Sequence, residues 1–143
     1  MPDILIATDA LSVYRELASV LSGPESTVRW VKAGQDVGPE HDHRPADLVV
    51  LDLQIGTMGG YAVVLDLRLD VDAGRLLPVP VLLLLDRRAD VFLARRCAVD
   101  GWLVKPLDPI RLRRASATLL DGGTWQDPTL RPDPVAVPAC TPG

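Results

Sequence analysis

Five apolar runs of strand length, each followed by a stretch of helical period, predict an α/β fold built as a doubly wound parallel sheet with helices on both faces. Three observations carry that expectation. The alternation occurs five times without interruption, and parallel strands joined through helices require right-handed crossovers, which stack such units into one open sheet. The run "LVVL" at residues 48–51 is apolar at every position, as a strand covered on both faces should be. The chain has 143 residues, of which 48% are hydrophobic and 24% charged, a balance that suits one globular domain with a real core.

Taken in order, the first strand is expected over residues 4–7 and the first helix over 11–21. The second strand is expected over 28–31. The segment after it, "AGQDVGPEHDHRPAD", holds two Gly and two Pro, so its helix should be short or irregular. His41 and His43 flank Asp42 there and are read as an exposed loop rather than a metal site. The third unit is 48–51 followed by 61–69, the fourth 81–85 followed by 90–97, and the fifth 102–104 followed by 109–120. Between the third strand and its helix lies "GTMGG", where Gly56, Gly59 and Gly60 allow positive φ and a close backbone approach, and where a mobile loop is expected. The pattern stops after Leu120. Residues 1–121 thus form the domain, and 122–143 a Pro-rich tail mostly without regular structure, with Trp125 as its one residue anchored on the body.

Composition excludes several functions. No apolar run is long enough to cross a bilayer, and "MPDILIATD" lacks the basic flank of a secretory signal, so no membrane association and a cytoplasmic location are expected. Cys97 and Cys140 have no metal-ligand spacing and read as a buried and an exposed thiol. The net charge of -4 conceals an asymmetry: residues 86 to 114 contain eight Lys/Arg against four acids. A basic face on an acidic body follows, centred on Arg87, Arg95, Arg96 and Arg111. Aromatic interleaving is missing, so an acidic protein partner, including a second copy of the chain, is expected in place of nucleic acid.

Three strand ends carry the chemistry: Thr8 and Asp9 after the first strand, Asp52 after the third, and Lys105 with Pro106 after the fifth. They belong to one edge of one sheet, the edge on which open α/β sheets build their sites. Two carboxylates there would repel unless a divalent cation lay between them and the Lys ammonium faced them. Asp9 alone could also be a helix cap, since it precedes the first helix. A carboxylate beside Mg²⁺ and Lys can accept a phosphoryl group.

With "ILIATD", "DLVVLDLQIGTMGG", "PVLLLLDRRAD" and "DGWLVKPLDP" in this order and spacing, the chain resembles the CheY-like receiver domain of two-component response regulators from residue 3 to about 121. The resemblance implies a flavodoxin-like sheet with strand order 2-1-3-4-5 and Asp52 as phosphoacceptor. It also implies Mg²⁺ held by Asp9, Asp52 and the carbonyl of Gln54, Lys105 on the phosphoryl group, and a cis bond before Pro106. A histidine kinase or other signalling protein would be the partner, and the fourth helix, fifth strand and fifth helix the homodimer surface.

Departures from the family pattern are equally specific. Thr8 stands where the family usually has an acid, so cation binding should be weaker. No Ser or Thr occurs from residue 76 to 105, so Leu85 or Asp86 stands where the family has its switch hydroxyl, although Trp102 matches the aromatic position. The expected function is a stand-alone, atypical receiver that signals through protein–protein contact and is not an enzyme beyond self-phosphorylation on Asp52. The alternative is an ordinary receiver activated by a histidine kinase. A doubly wound phosphohydrolase or nucleotide- or flavin-binding protein is disfavoured: "ATDAL" offers one acid where an Asp-x-Asp pair is needed, and no Gly-rich phosphate loop occurs.

Overall fold

A computed structural model describes residues 2–56, 59–97 and 99–126. The expectations for the tail beyond residue 126, for Cys140 and for the mobility of the loop at residues 57–58 lie outside the described residues. Five parallel strands, β1 (Asp3–Ala7), β2 (Thr27–Val31), β3 (Leu48–Asp52), β4 (Val81–Leu85) and β5 (Gly101–Val104), form one sheet in the order β2-β1-β3-β4-β5. The helices are α1 (Leu11–Leu21), α2 (Val37–His43), α3 (Gly60–Asp72), α4 (Val91–Arg96) and α5 (Pro109–Leu120). The doubly wound architecture and the strand order are as expected.

The strands are apolar throughout because both faces are covered. Alternate residues of the central strands feed two cores. Leu5, Val49, Leu51, Leu83 and Leu85 face α2, α3 and α4, while Ile4, Ile6, Val50, Leu82 and Leu84 face Leu17 and Leu21 of α1 and Leu112, Ala115 and Leu119 of α5. Helix α5 starts sharply: Asp108 accepts the Ile110 N–H at 2.8 Å and Pro109 occupies the first turn, where its missing N–H has no partner to lose. No helix among the described residues is long and apolar enough to cross a membrane.

The weak second unit resolves into a 3-10 turn, Gly34–Asp36, followed by the seven-residue α2. His41 is not the loop residue expected. Helical spacing from Val37 turns it inward, and it is buried, with Nδ1 accepting the Ala46 N–H at 3.0 Å and Nε2 bonded to the Leu77 carbonyl at 2.9 Å. Since an amide can only donate, Nε2 carries the proton and donates to Leu77. His41 is thus a structural brace between α2, β3 and the segment before β4.

Beyond α5 the chain returns to the sheet. Trp125 bridges Gly101, giving its N–H to the Asp100 carbonyl at 2.9 Å and its carbonyl to the Trp102 N–H at 3.2 Å, and its ring joins the core under α1 and α5. One residue of the tail segment therefore covers the outer edge of β5. An unpaired strand edge is otherwise a template for foreign pairing.

Two glycine roles differ at the end of β3. Gly56 and Gly59 have φ of 49° and 76°, in the left-handed region. Gly60 instead solves a contact: a Cβ there would lie 2.7 Å from the Leu53 Cα and 2.8 Å from the Asp52 carbonyl. Substitution of Gly60 by Ala should therefore lower stability by about 1–3 kcal/mol in urea unfolding. Gly38→Ala, with nothing within 4 Å of its added methyl, should not lower it.

Cys97 is buried against the α3–α4 core, and burial pushes its thiol up to about 11, a rise only partly offset by the Arg68 charge. In a Cys140→Ser background, thiolate absorbance in the ultraviolet should rise with a midpoint near 11 in the folded protein. The unfolded thiol ionises from its ordinary 9, so stability should decline as pH rises between these values.

Candidate functional site

The carboxyl ends of β1, β3, β4 and β5 meet at one edge of the sheet, and a connected polar network lies there. At its centre is Asp52, the last residue of β3, whose side chain is 3% exposed. An ionised group so far from water must be surrounded by donors. Three are present. Lys105 Nζ donates to Oδ1 at 2.9 Å, the Gln54 backbone N–H donates to the same oxygen at 3.1 Å, and Thr8 Oγ1–H donates to Oδ2 at 2.9 Å.

Each donor is fixed by a neighbouring element. Thr8 is buried at the end of β1, its hydroxyl oxygen accepts the Ala10 N–H, and its carbonyl accepts the indole N–H of Trp30 on β2 at 2.8 Å. Trp30 is in turn stacked on Tyr14 at 4.2 Å, with the Lys32 ammonium over its ring. Lys105 follows β5, its N–H bonded to the Leu85 carbonyl at 2.8 Å, and the Lys105–Pro106 bond is cis as expected. Gln54 lies in the tight turn after β3, closed by the Ile55 N–H on the Asp52 carbonyl.

The second carboxylate on Lys105 is Asp86, at 3.0 Å, and not Asp9. Asp86 follows β4 directly, so its side chain enters the same edge. Leu85, one residue earlier, is fully buried among the core residues facing α2 to α4. Of the two residues competing for the position after the fourth strand, the sheet takes Leu85 and the pocket takes Asp86. The side chain of Asp86 is 30% exposed and that of Lys105 22%, but Asp86 Oδ2 is buried and has no hydrogen-bond partner. Burial alone would lower the Lys105 pKa. The hydrogen bonds and charges of Asp52 and Asp86 outweigh it and hold the ammonium above its ordinary range.

Asp9 takes another role. It is exposed, and Oδ2 accepts the Gly56 N–H at 2.9 Å, tying the end of β1 to the loop after β3. It makes no side-chain cap to α1, whose first turn follows Ala10. The structure thus brings Asp52, Lys105, Thr8 and Asp86 into one network and leaves Asp9 beside it, linked through Gly56. Among the described residues no three His, Cys, Asp or Glu side chains group closely enough to enclose a metal.

Trp102 is 3% exposed and lies in the core facing α3 and α4, paired in register with Leu83. Arg87, Arg95 and Arg96 are exposed on and before α4, and Arg111 is half-exposed on α5. Arg87 pairs with Asp90 at 3.1 Å, and the Arg96 guanidinium lies over the Phe92 ring. The half-buried indole bond from Trp30 to Thr8 was missed from the sequence. Its only signal was an aromatic residue near the end of an edge strand, in register with Ile6.

A family model for the response regulator receiver domain matches residues 4–117. No curated protein matches the chain. Among solved structures, the chain is similar to a two-component response regulator of the LuxR family from an Aurantimonas species, with TM-score 0.78 and 19% identity over 91% of this chain and 92% of that one. It is similar also to the receiver domain of a signal transduction histidine kinase from Syntrophus aciditrophicus, with TM-score 0.75 and 26% identity over 85% and 92%. A third similar structure is the Vibrio cholerae chemotaxis protein CheY4, with TM-score 0.70 and 20% identity over 82% and 97%. With a five-stranded sheet in the family's order and a family match across most of its length, the chain belongs to the response regulator receiver domains of two-component signalling.

Proposed function

We propose that the chain is an atypical receiver, a signalling module acting through protein–protein contact, with Asp52 as phosphoacceptor and a switch uncoupled from it. The observation that carries this reading is the Asp86 carboxylate on Lys105. Where resembling receivers supply a hydroxyl donor, this pocket supplies another acceptor. Two of the three Lys105 N–H groups are committed to Asp52 and Asp86, the single Thr8 hydroxyl hydrogen goes to Asp52, and Asp86 Oδ2 has no donor. One carboxylate oxygen is thus without a donor before any ligand arrives.

Transfer from the phosphohistidine of a partner kinase would form a P–O bond at an Asp52 oxygen as the P–N bond breaks, leaving the histidine nitrogen to regain a proton. The product would add roughly -1.5 to -2 of charge and three acceptor oxygens to this pocket. Lys105 would contact the phosphoryl oxygens, and Asp86 would repel them. Nothing on β4 would be drawn inward, so Trp102 has no trigger, and a modification that interacts alike with two states cannot shift them. Asp9, Asp52 and the Gln54 carbonyl would hold Mg²⁺, which offsets phosphoryl charge when bound. Thr8 adds no charge to that set, so the affinity is low.

The ordinary phosphorylation-activated receiver is the second reading, favoured by the 2.9 Å contact between Lys105 and Asp52, which that mechanism also requires. For either reading, the partner surface is α4, β5 and α5, where Arg87, Arg95, Arg96 and Arg111 surround exposed Phe92 and Ile110. A signalling protein or a second copy of the chain is the occupant, and nucleic acid is not.

Beryllofluoride or acetyl phosphate with Mg²⁺ should leave the sedimentation profile and Trp102 emission nearly unchanged, and Asp52→Asn should bind partners as wild type does. A large Mg²⁺-dependent change in association that disappears in Asp52→Asn would instead establish the ordinary switch. The replacement Asp86→Thr, which puts a hydroxyl donor in the pocket and removes the competing acceptor, should make association responsive to beryllofluoride. For the cation, Thr8→Asp should tighten Mg²⁺ binding by about tenfold in calorimetry, since affinity follows the charge of the ligand set. An unchanged affinity would mean that Thr8 is not at the cation.

A further inference from the structure

Helix α3 carries an unpartnered apolar ridge. Leu65 and Leu69, one turn apart, are 40% and 63% exposed, opposite the buried face made by Val63, Val64 and Leu67. Acids flank the ridge. Asp66 and Asp72 are exposed and have no ion-pair partner among the described residues. Asp66 and Asp70, the latter paired with Arg75 at 2.8 Å, also wall a cleft of about 70 Å³ between α3 and the turn leading into α2, with Gly34 and Gly38 on its other side. The surrounding segment, residues 33 to 73, contains eight acids and two arginines.

The α4–α5 surface has the same design with the opposite sign. Phe92 and Ile110 are 57% and 60% exposed, and Arg88, Arg95, Arg96, Arg113 and Arg114 around them are exposed without a carboxylate partner among the described residues. Packing this surface symmetrically on itself would set arginines against arginines. Packing it on α3 of another molecule would pair apolar with apolar and plus with minus. We infer that the arginine surface of one molecule docks on the acidic α2–α3 face of a second copy, head to tail, with an arginine entering the Asp66–Asp70 cleft. The inference rests on the reading of α4, β5 and α5 as the partner surface, and it names the surface's occupant. Such contacts are heterologous, so assembly continues beyond a dimer unless the rotation closes a ring.

The test uses sedimentation velocity of the full chain at low and high salt, with circular dichroism to establish folding. Wild type should associate at low salt and dissociate at high salt. Asp66→Lys and Arg95→Glu should each weaken association by about tenfold or more, because each sets like charges across the interface. An equimolar mixture of the two variants should recover association, since the undamaged faces fit each other and the two reversed charges are again opposite in sign. If Arg95→Glu weakens association but Asp66→Lys does not, the arginine surface stands and its occupant is not α2–α3. If neither variant differs from an associating wild type, both ideas fall; if wild type is monomeric at every concentration and salt, the head-to-tail docking falls and the arginine surface is left to another signalling protein.

Discussion

The constraint on which the site depends is the burial of the Asp52 carboxylate at the end of a strand covered on both faces. A charge taken out of water there is tolerated only with donors at close range, and every nearby element is placed to supply one. The end of β1 gives Thr8, the turn after β3 gives the Gln54 amide, and the end of β5 gives Lys105. The close approach of Gly60 to the Asp52 carbonyl sets α3 directly on that turn. A side chain on α3's first residue would push the helix outward and with it the turn carrying the amide donor.

Lys105 then decides what the pocket can do, because one ammonium serves two carboxylates. Its raised pKa, the outcome of two acids outweighing desolvation, keeps it protonated through the whole neutral range. The triad has a net negative charge, with Thr8 and the Gln54 amide as the remaining neutral donors. Such a pocket is poised to attract a cation and to resist a further anion. Receivers that switch need the reverse once modified, a pocket that gains contacts from the phosphoryl group. In the proposed reading, the chemistry of the residue after β4 is what separates having an acceptor from having a switch.

Most of the fold was legible because a buried parallel strand and an amphipathic helix leave different periods in the sequence, and five repeats of the pair permit few topologies. Trp125 was legible as the one aromatic residue in a proline-rich stretch. The site was legible only as strand ends. Which of two successive residues enters a pocket depends on where pairing stops: β4 keeps its register with β5 through Leu85 and Val104, and so delivers Asp86. Asp9 lies two residues past the end of β1, and its carboxylate accepts the Gly56 amide, a loop contact that leaves no period in the sequence. His41 was misread because Gly and Pro around it signal a loop, whereas Pro39 falls in the first turn of α2, where proline is tolerated.

In the proposed reading, with a second acceptor in the pocket and Trp102 in the core, the free energy for signalling comes from the surface. Charge there is segregated by helix: α2 and α3 are acidic, α4 and α5 basic, and both faces keep apolar residues exposed at the centre of the charge. Segregation of this kind carries a self-repulsive penalty within each face that an evenly mixed surface avoids. It is offset only when a complementary surface is brought up. A phosphoryl group on Asp52 would add its charge at the sheet edge, and salt screens that charge over roughly 8–10 Å at physiological strength. Control of association would therefore come through whatever competes for the two helix faces, and only weakly through the chemistry at Asp52.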